Sequence, residues 1–111
     1  MSKALFDTNS IANANLLETV PVVPDAIVSK PLVQSASCKM IVFAMDAGQS
    51  ISEHHAPYVA TVQVLDGRLE FGAGGQTYSM AANDWLILPY DAKHDLVATE
   101  PTRFLLTLLR Q

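Results

Sequence analysis

The sequence predicts an all-β protein, a sandwich or jelly roll, on three observations. Short apolar runs recur at nearly even spacing, glycine, asparagine or proline closes almost every one, and no stretch holds a helical period for long. Eight or more short strands fit this pattern. Residues 1–20 are polar and mixed, with Ala12 to Val20 long enough for one or two helical turns, and read as an N-terminal arm. Residues 21–111 read as one β domain. From Pro21 onward, Val22–Val23, Ala26–Val28 and Leu32–Val33 are each cut short by a proline, which cannot donate to a central ladder, so these segments belong at a sheet edge.

The next run, Cys38 to Met45, is almost continuously apolar and ends at the turn signal Asp46-Ala47-Gly48, which predicts a strand covered on both faces. Val59 to Leu65 runs into Asp66-Gly67, a favoured two-residue turn, and Arg68 to Phe71 then alternates, so a hairpin is expected there. After Gly72-Ala73-Gly74-Gly75 the alternation resumes at Gln76–Met80. Trp85–Leu88 stops at Pro89, His94–Ala98 follows, and Thr102–Leu109 closes the chain.

Composition narrows the function classes. With 111 residues, half of them apolar and 16% charged, the chain buries one real core and has no room for a second domain. The net charge of −4, with seven scattered Lys and Arg, offers no track for a phosphate backbone and argues against nucleic acid as a partner. No apolar run approaches the length that spans a bilayer, and the first ten residues lack the apolar centre of a signal peptide, so a cytoplasmic protein without a membrane partner is expected. The single Cys38 has no disulfide partner and reads as a small apolar strand residue.

Two histidines lie forty residues apart at fixed distances from turns. Gly48, five residues, His54, one residue, Ala56, three residues, Ala60, six residues and Gly67 follow the spacing of the first cupin motif, G-X5-H-X-H-X3-4-E-X6-G. Asn83, five residues, Pro89, one residue, Asp91, two residues, His94, three residues and Ala98 are similar to the second, G-X5-P-X-G-X2-H-X3-N. On residues 48–98 the chain therefore resembles the small single-domain cupins, of the Cupin_2 conserved-barrel type. That resemblance implies an RmlC-like jelly-roll barrel, a double-stranded β-helix that is often dimeric, with metal ligands at the three ligand positions of the first motif and the histidine of the second. Carried over, those ligands fall on His54, Ala56, Ala60 and His94. A methyl group has no lone pair, and two imidazoles fall short of a catalytic zinc or mononuclear iron set.

Strand parity directs His55 and Gln63 away from positions 54, 56 and 60, although a bulge at Pro57 would turn His55 inward and bring three imidazoles, from His54, His55 and His94, around one point. Two chemistries are open at a barrel mouth carrying His54 and His94. The pair could hold a divalent metal (Zn, Ni, Mn or Fe) weakly, as in a dioxygenase- or isomerase-type enzyme, with water or substrate completing the shell. Alternatively one imidazole works without metal as general acid or base. A non-catalytic ligand-binding or sensing module is the other class. In each case the partner is a small, largely apolar molecule, because alanines replace polar ligands; Tyr58 and Tyr90 are expected to line the mouth, and Phe71 and Trp85 to be ordinary core. The proline-interrupted strands and an apolar outer face at Val59, Thr61 and Leu65 predict a homodimer in which those strands cover the sheet of a second copy.

Overall fold

In the computed structural model, which describes residues 3–110, the chain folds into a jelly roll of two antiparallel sheets packed face to face. The strands are β1 (Ile27–Gln34), β2 (Cys38–Met45), β3 (Ser50–His54), β4 (Val59–Asp66), β5 (Arg68–Ala73), β6 (Gln76–Ala81), β7 (Trp85–Leu88), β8 (His94–Ala98) and β9 (Thr102–Leu109). One sheet runs β1-β2-β9-β4-β7 and the other β3-β8-β5-β6. A single turn of helix, α1 (Leu16–Thr19), precedes them, and the Asn15 side chain accepts the Leu17 N–H at its start. Among the described residues no helix is long and apolar enough to cross a membrane.

Period-two alternation decides what each strand buries. Val62 and Val64 of β4, Leu69 and Phe71 of β5, Met80, Leu88, Leu96 and Phe104 meet between the sheets in one core. A second, smaller core lies on the outer face of the first sheet, where Val20, Leu32, Val42 and Ala44 are buried, with Phe6, Leu16 and Leu65 packed against them. Strand β2 serves both: Phe43 and Met45 face the inner core, Val42 and Ala44 the outer one. This is the two-sided burial its unbroken apolar run predicts.

Three expectations change. The proline-cut segments do not form separate strands: residues 27–34 make one edge strand, and a register shift between Pro31 and Val33 absorbs the proline. The segment around Asp66-Gly67 is not a hairpin, because β4 and β5 belong to different sheets and share no ladder. Contacts from β9 redirect the chain there. The Asp66 carboxylate accepts both the backbone N–H and the Nη1 of Arg103 at 2.9 Å, while the buried Thr102 hydroxyl accepts the Arg68 N–H at 3.0 Å. Gly67, at φ +88°, packs against Pro101 and Thr102, where any Cβ would collide. The true two-residue hairpin is Gly74-Gly75, between β5 and β6.

The third change concerns the arm, which lies on the outer sheet face of its own chain. Val20 is fully buried there, and Arg103 Nε donates to its carbonyl at 2.7 Å. Further back, the Leu5 and Phe6 N–H groups donate to Pro31 and Leu32 on the free edge of β1.

Candidate functional site

Strands β3 and β8 create the site, because their register sets His54 directly opposite His94. Residues paired across two antiparallel strands project from the same face. On β8 the parity is simple: His94, Leu96 and Ala98 share a face, and the latter two are buried. On β3, Ile51 and His54 are three apart and would point to opposite faces of a regular strand, yet both line the interior. A register shift between Ile51 and His54 reverses the parity and re-aims His54 inward. The expected site of irregularity was Pro57, and the displacement of the bulge to the earlier position has the opposite consequence for His55.

The two imidazoles lie with ring centroids 4.0 Å apart at an interplanar angle of 61°, and Phe71 stacks on His94 at 5.6 Å. Each ring is oriented by the main chain of its own approach: His54 Nδ1 is 2.9 Å from Ser52 O, and His94 Nδ1 is 3.0 Å from Ala92 O. A carbonyl oxygen only accepts, so both Nδ1 atoms carry the proton in the neutral ring and both Nε2 atoms keep a lone pair. Burial pushes the His94 pKa below its ordinary value; the bond to Ala92 O opposes this, the neighbouring His54 adds to the lowering and Asp95 opposes it.

His54 and His94 line a cavity of about 120 Å³ with Ala56, Tyr58, Ala60, Leu88, Pro89, Ala92, Leu106 and Leu108. They also border an inner void of about 40 Å³ among Phe43, Ile51, Phe71, Leu96 and Phe104. The cavity is therefore apolar apart from two ring nitrogens and one phenol. Ala56 and Ala60 sit in its wall, so the methyl groups at the two remaining ligand positions of the first motif occupy the place where donors would be needed. Tyr58 is held from outside by the Arg110 guanidinium, 5.9 Å from its ring centre.

The other candidates lie elsewhere. His55 is exposed and outside the cavity, its Nδ1 2.6 Å from Asp91 Oδ1. The three-imidazole metal set of His54, His55 and His94 is therefore not assembled, and among the described residues no cluster of three or more His, Cys, Asp or Glu is placed to hold a metal. Two nitrogens and two methyl groups do not fit the resident metal that such a barrel commonly carries. Tyr90 is 60% exposed and does not line the mouth, and Trp85, expected in the core, is 59% exposed at the sheet edge because its neighbours Leu86 and Leu88 take the inward positions of β7. Conversely Leu106 and Leu108 wall the cavity unmarked by any motif; their signal is the parity they share with buried Phe104 on β9.

Asn83 and Asp91, which replace motif glycines, hold φ values of 73° and 62°, a left-handed conformation that asparagine and aspartate tolerate better than most residues. The turns around the second motif thus keep the backbone form that glycine adopts without strain.

Comparison with known proteins agrees with this geometry. A conserved protein of unknown function from Streptococcus pyogenes superposes with a TM-score of 0.86 at 28% identity, covering 98% of this chain and 96% of that one. A Cupin 2 conserved barrel domain protein from Leptotrichia buccalis gives 0.83 at 33% identity over 87% of this chain and 47% of its own. Among curated proteins, Polyketide synthase CurC of Streptomyces cyaneus is 41% identical over 51 residues, which is 45% of this chain and 33% of that one, so the match spans a third of that relative. Residues 41–108 match the family model of the cupin domain, and the chain belongs to the cupin family.

Proposed function

We propose that the barrel mouth binds a small, largely apolar molecule through an O–H or similarly acidic donor, which the Nε2 lone pair of His94 or of its neighbour His54 accepts. The observation that carries this reading is the pair of free Nε2 lone pairs in an otherwise apolar cavity, both fixed by Nδ1 bonds to carbonyls. Two acceptors favour hydroxyl or enol donors over carboxylates, whose own lone pairs would face them. Because His94 is held in its neutral form, its Nε2 is available near neutral pH to take the ligand's proton, and the Nδ1–H bond to Ala92 O steadies the imidazolium that results. An apolar cavity of roughly 150 Å³ admits benzene, so one of about 120 Å³ takes a single ring or the end of a larger molecule. The likeness to Polyketide synthase CurC, confined to a third of that protein, is compatible with a polyketide as the ligand. Phenol is the simplest probe. Calorimetric titration should give saturable binding to the wild type that falls about tenfold in His94→Ala, the loss of one hydrogen bond in a part-buried site, and falls also in His54→Ala. Equal affinity in all three proteins would remove the histidines from the reading, and stoichiometric metal in the purified wild type would replace it with a metal-centred one.

We also propose that the chain forms a homodimer through its arm side. Val20 faces its own sheet, but Leu5, Ile11, Leu17 and Val23 are exposed together with Ile27 at the start of the edge strand, an apolar set of the kind a second copy covers.

A further inference from the structure

A second, larger hollow adjoins the mouth. It is a groove of about 650 Å³ along the seam where β6 and β7, the free edges of the two sheets, face each other. Tyr78 and Met80 line it from β6, Trp85, Ile87 and Leu88 from β7, and Pro89 closes its end. Leu88, Pro89 and Ala92 line both the groove and the mouth cavity, so the two hollows adjoin along these residues. Tyr78, Trp85 and Ile87 are each about half exposed, an unusual run of large apolar side chains beside a cavity too small for anything beyond one ring.

We propose that this groove receives the apolar remainder of the ligand whose hydroxyl end enters the mouth, which makes the substrate class a neutral amphiphile: a phenol or enol head with an alkyl or aryl extension. The inference rests on the mouth reading given above. Charge narrows the class further. Among the described residues no lysine or arginine lines either hollow, and the one charge on the groove, Asp84, already accepts the Ala81 N–H at 2.9 Å. Phosphorylated or carboxylated extensions, including nucleotide-linked thioesters, would meet one carboxylate and no lining cation, since Arg68, which bonds the lining Ser79 at 3.1 Å, is itself paired with Glu100 at 3.8 Å, so the ligand is bound free and uncharged. The exposed Tyr78 and Trp85 rings supply contact area at low entropy cost.

Trp85 is the sole tryptophan, so its emission reports the groove while the histidine ring signals report the mouth. The test compares phenol with 4-hexylphenol on the full chain. Phenol should shift the His54 and His94 ring resonances without changing Trp85 emission. 4-Hexylphenol should do both, moving the emission to the blue and binding about tenfold tighter or more, from burial of its tail. Ile87→Lys and, independently, Tyr78→Ser should erase that gain and leave phenol binding unchanged. Equal affinity for the two probes with silent Trp85 overturns the groove and leaves the mouth reading standing. A Trp85 response without histidine shifts makes the groove a separate site and overturns the link. Failure of both probes to shift the histidines removes the mouth reading and this inference with it.

Discussion

His94 is the most constrained group in the site: Phe71 stacks on its ring, Ala92 O holds its Nδ1, and His54 lies 4.0 Å away. Its depressed pKa has a consequence for stability. The unfolded chain binds a proton at 6.5 more readily than the folded one, so stability falls as the pH drops below about 6.5 towards the folded value, levels off beneath it, and gains nothing further above 6.5. Subtracting the thermal-melting profile of His94→Gln from that of the wild type between about pH 8 and pH 5 should isolate this fall, and parallel profiles would show that the residue titrates alike in both states. The two alanines carry a complementary prediction. Since Ala56 and Ala60 line the same cavity as the histidines, Ala56→His combined with Ala60→Glu should complete a ligand set and yield protein that retains near-stoichiometric Zn or Ni after dialysis, measured by elemental mass spectrometry beside the wild type. His54 and His94 are legible in the sequence because turns on either side fix their distances. The outward direction of His55 follows from strand parity, whereas the bulge that would have turned it inward lies earlier, between Ile51 and His54, and leaves no local signal.

At the level of the element, local signals placed the strands better than they paired them. The limits of β2, Cys38–Met45, follow from an apolar run closed by a turn, a purely local matter. Asp66-Gly67 carries an equally strong local signal, yet which strand β5 pairs with is settled by β9, some thirty-five residues onward, through Asp66–Arg103 and Thr102–Arg68. Such long-range contacts leave no mark in the turn itself. Their weight is measurable. Gly67→Ala should cost about 1–3 kcal/mol from its left-handed backbone alone, with the collision against Pro101 added. Thr102→Val preserves shape but leaves the Arg68 N–H without its acceptor and should cost about 1–3 kcal/mol. Urea unfolding measures both, and a Gly67→Ala protein as stable as the wild type would mean that the crossover is tolerant of ordinary backbone.

For the whole molecule, the jelly roll was legible because alternation, turns and motif spacing all agree on it. The placing of the arm was not: the proline-interrupted strands that follow it suggested a cover for another subunit, whereas Val20 and Arg103 bind the arm to its own sheet, a contact joining residues more than eighty apart. If the exposed arm residues meet a second copy, sedimentation at micromolar concentration should give about twice the 12.0 kDa chain mass, and Ile11→Asp with Leu17→Asp should return the monomer. At the mouth the proposed chemistry is a pair of Nε2 lone pairs offered to a hydroxyl ligand. Long-range proton–nitrogen NMR of the histidine side chains, recorded near neutral pH before and after phenol, tests it most directly. In their neutral forms His54 and His94 should both be Nδ1–H tautomers, and phenol should shift the Nε2 signals of the pair while leaving His55 in place. A protonated His94, the opposite tautomer in either ring, or Nε2 signals indifferent to phenol would contradict this.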